Sequence, residues 1–462
     1  MPTGRVWHMP ESIMRTKTFR PYDQDTLLLM PPSVRDWVDP EGLPAFIDAL
    51  VEELDLGPFL AAHDEPRGMP PYHPALMLKV LLYGYAIGVR GSRRLEERLK
   101  SDVAFMFLAG GARPDHKTIS EFRRRHLAAL EALFLESLRL CRRAGLVRLG
   151  RVALDGTKLK ANASRHKAMS YGRMAEREAA LEAEVARILA EAEAIDRAED
   201  ALYGETRGDE LPEALRRPET RLARIREAKA ALEAEARERT GDPDAVPDPK
   251  AQRSFTDPDS RIMLSKPDGF IYGYNAQALV DDTSQVIVAT AITTEATDMR
   301  SLPGLVDQVE AATGMRPRRL LADAGYQSDG NLAHLAAKGI DAYVAVRRDR
   351  HSEAPPPAPR GRIPKAATPR ERMARKVRTK RGRAHYARRK VIVEPVFGQI
   401  KEAMGFRRFS LRGKAKVTAE WHLVCAVHDL GKLLRSGHAG RVIPGWTGPG
   451  RAGATSRGLG WA

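Results

Sequence analysis

The pattern of hydrophobic and polar positions changes along the chain and predicts two kinds of structure. Between residues 44 and 147 the apolar positions recur at helical spacing, and they include one strongly apolar helix over residues 76–87. From residue 269 the period changes to two, so residues 270–280 and 285–292 predict two strands joined by a turn. The chain therefore begins with helices and continues into a sheet.

Shorter helices and strands complete the predicted sheet domain. Residues 298–312 and 330–338 have helical patterns, whereas residues 318–322 and 342–346 are short apolar runs typical of buried strands. Another apolar run, residues 152–155, predicts the first strand of the sheet. This order predicts an α/β fold of the mixed α+β kind, in which helices flank a mixed sheet.

Two long segments rich in Ala, Glu and Arg separate the first strand from the rest of the sheet. Apolar residues recur at helical spacing in both, so a helical-hairpin insertion is predicted over about residues 170–245. The predicted divisions of the chain are an irregular segment (1–45), an all-α N-terminal domain (46–147), a mixed-sheet domain (148–434) and a disordered tail (435–462).

The charge of the chain adds a polyanionic partner to this picture. Lys and Arg outnumber Asp and Glu by 76 to 60, which gives a formal net charge of +16 and favours nucleic acid or an anionic membrane surface. The membrane is disfavoured because the longest apolar stretch, residues 74–89, contains Lys79 and is too short to span a bilayer. No secretory leader opens the chain, so a cytoplasmic location is predicted. The two cysteines show neither CxxC nor Cys/His spacing, so we expect no disulfide and no structural zinc.

Much of the excess charge falls in one proline-containing segment. Residues 347–390 contain 17 Lys and Arg residues against three acidic ones, and their prolines predict a flexible loop. A solvated linker would have the same composition. The position directly before Glu394, a candidate metal ligand, favours contact with a phosphate backbone.

Arginines mark the helical region as a candidate DNA-docking unit. Arg93 and Arg94 begin one predicted helix, and Arg123 and Arg124 belong to another that is predicted to begin at Thr118. A helix–turn–helix with these arginines on its surface could dock on DNA. A small bundle with solvated arginines explains the pattern equally well, so both interpretations stay open.

Three carboxylates stand where a metal-dependent phosphoryl-transfer site would need them. Asp155 and Asp323 each end a predicted buried strand, and Glu394 stands at a predicted helix start. Parallel strands bring their carboxyl ends to one edge of a sheet, so the two aspartates are expected to face one crevice. Two Mg²⁺ ions held by such oxygens could activate a nucleophile and stabilise charge at phosphorus. Taken singly, each acid is also explained by a turn or a helix start.

Pro395 and Lys401 set the expectations around Glu394. Proline disfavours helical geometry at the residue before it, so the basic residues upstream are not expected to share the helix of Glu394. Lys401 follows Glu394 by seven residues, which is two helical turns or about 10 Å along the axis. A cation there could reach a DNA phosphate beside the acids.

From about residue 55 to residue 434 the chain resembles bacterial insertion-sequence transposases of the Asp-Asp-Glu (DDE) type, in the IS-five superfamily. The resemblance is carried jointly by residues 91–96 (GSRRLE), 113–119 (RPDHKTI), 154–158 (LDGTK), 322–326 (ADAGY) and 394–401 (EPVFGQIK). It implies an RNase H-like catalytic domain in which Asp155, Asp323 and Glu394 bind two Mg²⁺ ions, with Mn²⁺ as a possible substitute.

The resemblance also implies basic partners for the acids. The family's Tyr-x2-Arg…Glu-x6-Lys signature falls on Tyr386, Arg389, Glu394 and Lys401. Four residues separate Arg389 from Glu394 where the general signature has three, and Lys390 fills the shorter spacing. Either Arg389 or Lys390 can therefore be the basic partner.

By resemblance, the helical region binds the terminal inverted repeats of a mobile element. The catalytic domain then cleaves strands at the element ends and joins the freed 3′ hydroxyls to target DNA. The implied partners are double-stranded DNA and further copies of the chain, in a homodimer or higher oligomer at the nucleoid. A domesticated DNA-binding protein without catalysis and an RNase H-like nuclease without strand transfer are the alternatives.

Overall fold

The structure is a computed structural model of the chain. It describes residues 33–61, 71–163, 168–203, 213–265, 268–295, 297–347, 357, 359–446 and 448. The predicted irregular segment up to residue 32, and the predicted tail after residue 448, lie outside these ranges. Within the described ranges, no helix is both long enough and apolar enough to cross a membrane.

Helices form the first part of the described chain, as the pattern predicts. They are α1 (Leu43–Glu52), α2 (Gly57–Leu60), α3 (Pro74–Ala86), α4 (Ser92–Ser101), α5 (Val103–Leu108), α6 (His116–Arg125) and α7 (Leu127–Arg143). The apolar α3 is largely buried because α1, α5 and a later helix pack around it. α6 begins at His116 and not at Thr118, because the Asp115 carboxylate accepts a hydrogen bond from the Thr118 N–H at 2.7 Å and caps the helix.

A mixed sheet forms the centre of the second part. Its strands and those of a small side ribbon are β1 (Val152–Lys160), β2 (Ala168–Ser170), β3 (Gln252–Ser254), β4 (Arg261–Ser265), β5 (Gly269–Asp281), β6 (Ile287–Thr293), β7 (Arg319–Ala322) and β8 (Asp341–Val344). β2 pairs with β3, and the others form one sheet in the order β4-β5-β1-β7-β8 with β6 also on β5. β1, β7 and β8 are parallel, whereas β5 is antiparallel to β1. The predicted mixed sheet is confirmed, and its topology is consistent with an RNase H-like domain.

The predicted helical hairpin follows the first strand. It consists of α8 (Tyr171–Tyr203) and α9 (Glu213–Thr240). Tyr171 donates a hydrogen bond to Glu233, whereas Glu178, further along α8, pairs with the earlier residue Lys229, so the two helices are antiparallel. A small core of Met174, Leu181, Leu222, Ile225, Ala228 and Leu232 holds them together.

Helices also flank the sheet. They are α10 (Ser301–Thr313), α11 (Asp329–Ala337), α12 (Pro369–Arg378), α13 (Lys380–Gly398) and α14 (Lys414–Arg435). α14 packs against α7, α3 and β6, so one continuous core joins the all-α region to the sheet. Its buried Glu420 accepts a 2.8 Å hydrogen bond from the Tyr85 hydroxyl of α3, which satisfies both polar groups inside that core.

The prediction of a basic loop over residues 347–390 is wrong for its second half, where α12 and the beginning of α13 lie. Thr368 and Glu371 form a reciprocal capping box around Pro369, which stands in the first helical turn. Met373 of α12 is buried in the main core. Charge composition predicted solvation, but these caps and this apolar contact stabilise a helix.

Glu394 lies well inside α13 and not at a helix start, because the helix continues through Pro395. Proline has no N–H, so it cannot donate the usual hydrogen bond to the carbonyl of Val391. The side-chain amide of Gln285 donates to that carbonyl instead, at 3.1 Å, and Lys432 fixes the same amide by donating to its oxygen at 2.9 Å. Contrary to the prediction, Glu394 therefore shares one helix with the basic residues before it.

The predicted disordered tail is also corrected where the structure describes it. Ile443 and Trp446 are buried, and the Trp446 ring makes an edge-on contact with Phe46 of α1 at 5.4 Å between centroids. Glycine-rich composition suggested disorder after residue 434, but these apolar side chains find a partner in the first helix.

Candidate active site

Asp155 and Asp323 lie side by side at the edge of the sheet. β1 and β7 pair in parallel, with Leu154 opposite Ala322, and each aspartate directly follows one member of that pair. Asp155 accepts a hydrogen bond from the Gly156 N–H at 2.9 Å, and Asp323 accepts one from the Gly325 N–H at 2.8 Å. Asp323 directly follows the end of β7, but Asp155 lies inside β1 and not at its end, contrary to the prediction, because β5 pairs with β1 from Val152 to Lys160. The crevice therefore lies where β7 ends beside the continuing β1, and both of its carboxylates are held by their own backbones.

The neighbours of Asp155 shift the pKa of its carboxyl group. Burial raises the pKa of the Asp155 carboxyl, the guanidinium of Arg389 lowers it, and the neighbouring Asp323 carboxylate raises it again. The net direction is upward, so the site favours a cation that would balance two adjacent negative charges.

Arg389 supplies such a positive charge from α13. Its Nη1 lies 2.7 Å from Oδ2 of Asp155, and only 11% of its side-chain surface is exposed. Burial lowers the pKa of Arg389, but Asp155, Tyr386 and Asp323 outweigh it, so the net shift is upward. The ring of Tyr386 lies 6.0 Å from the guanidinium carbon. Of the predicted signature, Arg389 thus contacts the first aspartate, and Tyr386 lies beside Arg389.

Lys390 and Glu394 occupy a different face of the same helix. Both side chains are exposed, and four residues separate them, so they are neighbours on the helix surface. Arg389 is five residues from Glu394, which is about 140° around the helix axis. The sequence left Arg389 and Lys390 as alternatives for the basic partner of Glu394. In the structure Arg389 contacts Asp155, and Lys390 lies next to Glu394 on the helix surface.

The three predicted acids do not form one ligand group in this structure. No set of three His, Cys, Asp or Glu side chains within the described residues is arranged to hold a metal ion. The two aspartates fit a hard cation such as Mg²⁺ in donor type and in proximity, since carboxylate oxygens are its preferred ligands. Glu394 is exposed on α13 and would have to approach them to complete the set.

Lys401 lies on an irregular turn that follows α13. The α-helix ends at Gly398, and residues 399–403 form a π-helical turn, so the predicted two regular turns from Glu394 to Lys401 do not occur. Burial and the nearby Arg407 lower the pKa of Lys401, and Asp268, Glu402 and Asp155 oppose that shift. The charge of Asp155 is therefore one of those that raise the pKa of Lys401 against the effect of burial.

Asp298 is a site residue that the sequence interpretation missed. Its Oδ1 accepts hydrogen bonds from Asn275 at 2.6 Å, Gln277 at 2.8 Å and Lys158 at 3.3 Å. A side chain on Gly325 would lie 3.0 Å from an oxygen of Asp323 and 3.1 Å from one of Asp298. The two carboxylates therefore flank this glycine, whose lack of a side chain lets them approach.

The sequence did contain a signal for this residue. Asn275 and Gln277 are fully buried polar residues two positions apart in an otherwise apolar strand, so they face the same side. Buried amides need partners, which predicts a polar group opposite them. Asp298 was interpreted only as the beginning of the helix that follows.

The arginines of the helical region separate into two groups. Arg93, Arg94 and Arg124 are exposed, and Arg124 pairs with Glu121. Arg123 is only 4% exposed and donates hydrogen bonds to the carbonyl of Arg90, the hydroxyl of Tyr85 and the hydroxyl of Ser92. The prediction that Arg123 contacts DNA is contradicted, because its guanidinium lies inside the protein and joins α6 to α3 and α4.

Comparison with protein families identifies the chain. Residues 250–430 match the family model of the transposase DDE domain, and residues 32–125 match a transposase domain of the DUF772 family. The first range contains Asp298, Asp323 and Glu394, and the pairing of β1 with β7 adds Asp155 from outside it. The chain belongs to the DDE transposases of insertion sequences. Searches of curated proteins and of solved structures gave no match.

Proposed function

We propose that this transposase binds the terminal inverted repeats of its element, cleaves strands at the element ends and joins the freed 3′ hydroxyls to target DNA. The observation that carries the proposal is the pair Asp155 and Asp323 on two adjacent parallel strands, one residue beyond the paired Leu154 and Ala322, with Arg389 beside Asp155. Both reactions are displacements at phosphorus, so one site serves both.

Each acid has a distinct place in this proposal. Asp155 and Asp323 hold the metal, and Glu394 completes the set when its side chain approaches them on DNA. Two Mg²⁺ ions, or Mn²⁺ in their place, would supply an activated oxygen and neutralise charge on the phosphoryl oxygens. Asp298 holds Lys158 and the two amides beside the acids and keeps this wall of the site ordered.

A stripe of free cations on α13 gives the DNA a path to the acids. Lys380, Arg383 and Lys390 are exposed at spacings of three and seven residues, on the face that also carries Glu394. Among the described residues these three cations have no ion pair. We call them the α13 stripe, and with Glu394 it extends about 21 Å along the helix.

Other basic residues of the same segment are already engaged. Arg372, Arg375 and Arg378 donate hydrogen bonds to backbone carbonyls of the preceding loop, and Arg388 pairs with Asp282 at 2.8 Å. The charged segment therefore divides into arginines that hold its own fold and cations that are available to phosphate. This division is what supports the α13 stripe as the DNA contact.

The helical region would provide the contact with the inverted repeats. Arg93, Arg94 and Arg124 are exposed there, and Arg124 lines a groove together with Lys117 and Arg125 of α6. Holding two element ends together calls for more than one copy of the chain, so a homodimer or higher oligomer on nucleoid DNA is part of the proposal.

A cleavage assay with the DNA that flanks the coding region tests the proposal. Labelled duplexes carrying the inverted repeats are incubated with the protein and Mg²⁺. Nicks at the repeat ends together with joined products are expected. Nicks without joining would replace the proposal with a nuclease, and binding without any cleavage would replace it with a domesticated DNA-binding protein.

A further inference from the structure

Both oxygens of Asp155 are engaged in this structure. The Gly156 N–H donates to Oδ1 at 2.9 Å, and Arg389 donates to Oδ2 at 2.7 Å. The guanidinium is largely buried, so solvent weakens this ion pair much less than one at the surface. A metal ligated by Asp155 would thus meet a carboxylate whose negative charge the arginine already balances.

An internal cation on a metal ligand competes with the metal. A charge-assisted hydrogen bond of this kind is strong enough to reduce the affinity for a competing cation about 10- to 100-fold. Arg389 cannot lose its proton to relieve the competition, because guanidinium stays charged in proteins. Without another acceptor for Arg389, Asp155 is a weakened ligand.

DNA brings the other acceptor. Lys390, the next residue, belongs to the α13 stripe and lies about 100° around the helix axis from Arg389, so the guanidinium would turn towards the stripe to reach a phosphate there. The planar fork of an arginine suits two phosphate oxygens as well as it suits a carboxylate. In the described structure Nε of Arg389 is buried without a hydrogen-bond partner, so the pair with Asp155 leaves part of the fork unused.

We propose that Arg389 couples DNA binding to metal binding. In the DNA-free protein Arg389 neutralises Asp155. On DNA the guanidinium transfers to a phosphate and leaves Asp155 free to bind the metal. This inference rests on the proposed function, since it assumes that DNA lies on the α13 stripe. Because binding energies are reciprocal, metal must also strengthen DNA binding by the same factor.

Metal binding to the full-length, DNA-free protein tests whether Arg389 competes with the metal for Asp155. Mn²⁺ affinity is measured by titration calorimetry and by the loss of the free-ion EPR signal, at a pH where Asp155 is ionised. Arg389→Gln is expected to bind Mn²⁺ at least about ten-fold more tightly than the wild type. The gain should vanish in Arg389→Gln/Asp155→Asn.

Arg388→Gln is the matched control, because it removes the same charge from the next position of the same helix. Arg388 pairs with Asp282 and not with the acids of the site, so Mn²⁺ affinity should stay within about two-fold of wild type. Equal or weaker Mn²⁺ binding by Arg389→Gln, relative to this control, overturns the inference.

The coupling of DNA binding to metal binding can be tested without a variant of Arg389, so this test does not depend on whether such a variant folds. A short uncleavable duplex is added to wild-type protein, and Asp155→Asn with the same duplex is subtracted to remove ions bound by DNA itself. Mn²⁺ affinity at the site should rise at least about ten-fold with DNA. No rise, in protein that binds and cleaves DNA, overturns the coupling but leaves the proposed function standing. If the protein never cleaves its repeats, the proposed function is wrong. The comparison of Arg389→Gln with wild type in the absence of DNA still shows whether Arg389 competes with the metal for Asp155.

Discussion

At the scale of single residues, the two aspartates and the arginines have roles that their environments separate. Asp155 and Asp323 are fixed by adjacent parallel strands, so their proximity depends on backbone pairing and not on flexible side chains. Arg123 and Arg124 are consecutive, yet one is internal and the other is exposed. Neighbouring residues of the same type therefore have different expected roles, which different experiments can test.

Asp155→Asn and Asp323→Asn are each expected to abolish strand cleavage, by at least about a thousand-fold, because an amide is a poor ligand for Mg²⁺. DNA affinity should not fall in either variant, since neither residue is a cation that contacts phosphate, and Asp155→Asn should raise it because Arg389 is released for phosphate. Cleavage is measured on labelled repeat ends, and affinity by gel shift without metal. Asp244→Asn, an exposed acid after α9, should behave as wild type. Retained cleavage in either variant would remove that aspartate from the site.

Arg123→Ala is expected to lower the free energy of unfolding by about 2–4 kcal/mol, because it leaves a buried carbonyl and two hydroxyls without their donor. Denaturant titration followed by circular dichroism measures the change. The control is Arg124→Ala, whose partner is an exposed glutamate and whose cost should stay below about 0.5 kcal/mol. Equal costs for the two variants would contradict the internal role of Arg123.

At the scale of elements, α13 is the part of the site whose shape the sequence did not reveal. It carries Arg389 on one face and the α13 stripe with Glu394 on another. Pro395 would normally break such a helix, but Gln285 of the β5–β6 turn supplies the missing donor to Val391. Gln285 has a positive φ of 58°, so its backbone adopts a conformation that is uncommon for a residue with a side chain.

A double-mutant cycle tests this substitute hydrogen bond. Gln285→Glu keeps the size of the side chain but loses the donor, and it should cost about 1 kcal/mol of unfolding free energy in the wild-type background. In the Pro395→Ala background the N–H of residue 395 can donate to Val391 itself, so the same change should cost measurably less. Denaturant titrations of the four proteins give the coupling energy. A coupling energy of zero would mean that Gln285 does not replace the donor lost at Pro395.

At the scale of the whole molecule, the all-α region and the sheet domain are one folded body in the described residues. α14 joins the two parts, because it packs on α7 and α3 of the all-α region and also on β6 of the sheet. The described end of the chain closes this arrangement, since Trp446 packs on Phe46. The exposed arginines of the all-α region and the acidic site are therefore held on a common core.

Under the proposed function, DNA is bound by the exposed cations that have no ion pair among the described residues, and not by the net charge as a whole. Changing Lys380, Arg383 and Lys390 together to Gln should lower the salt dependence of duplex binding by about 2.7 in the slope of log affinity against log salt. Fluorescence anisotropy across a series of salt concentrations measures this slope.

The matched control for this triple variant changes Arg372, Arg375 and Arg378 to Gln, which removes the same charge from residues that bind backbone carbonyls. Its slope should change by less than about 1, because these cations release few DNA counterions. If the two triple variants lower the slope equally, the DNA does not lie on the α13 stripe.

The sequence by itself determined the fold class, the order of helices and strands, and the two aspartates. Apolar periodicity reports which residues are buried, and an acid that directly follows a buried run on each of two parallel strands is brought to one crevice, although β1 extends beyond Asp155. These features are local in sequence or follow from general rules of sheet topology, so a single chain reveals them.

Only the tertiary structure decided how the remaining groups meet. The contact of Arg389 with Asp155 joins residues 234 positions apart, and the helix through Pro395 depends on Gln285, 106 positions before Val391. The burial of Arg123 and the position of Asp298 likewise depend on partners from distant elements. Local propensity cannot report such contacts, because their energy comes from groups that are brought together only when the chain folds.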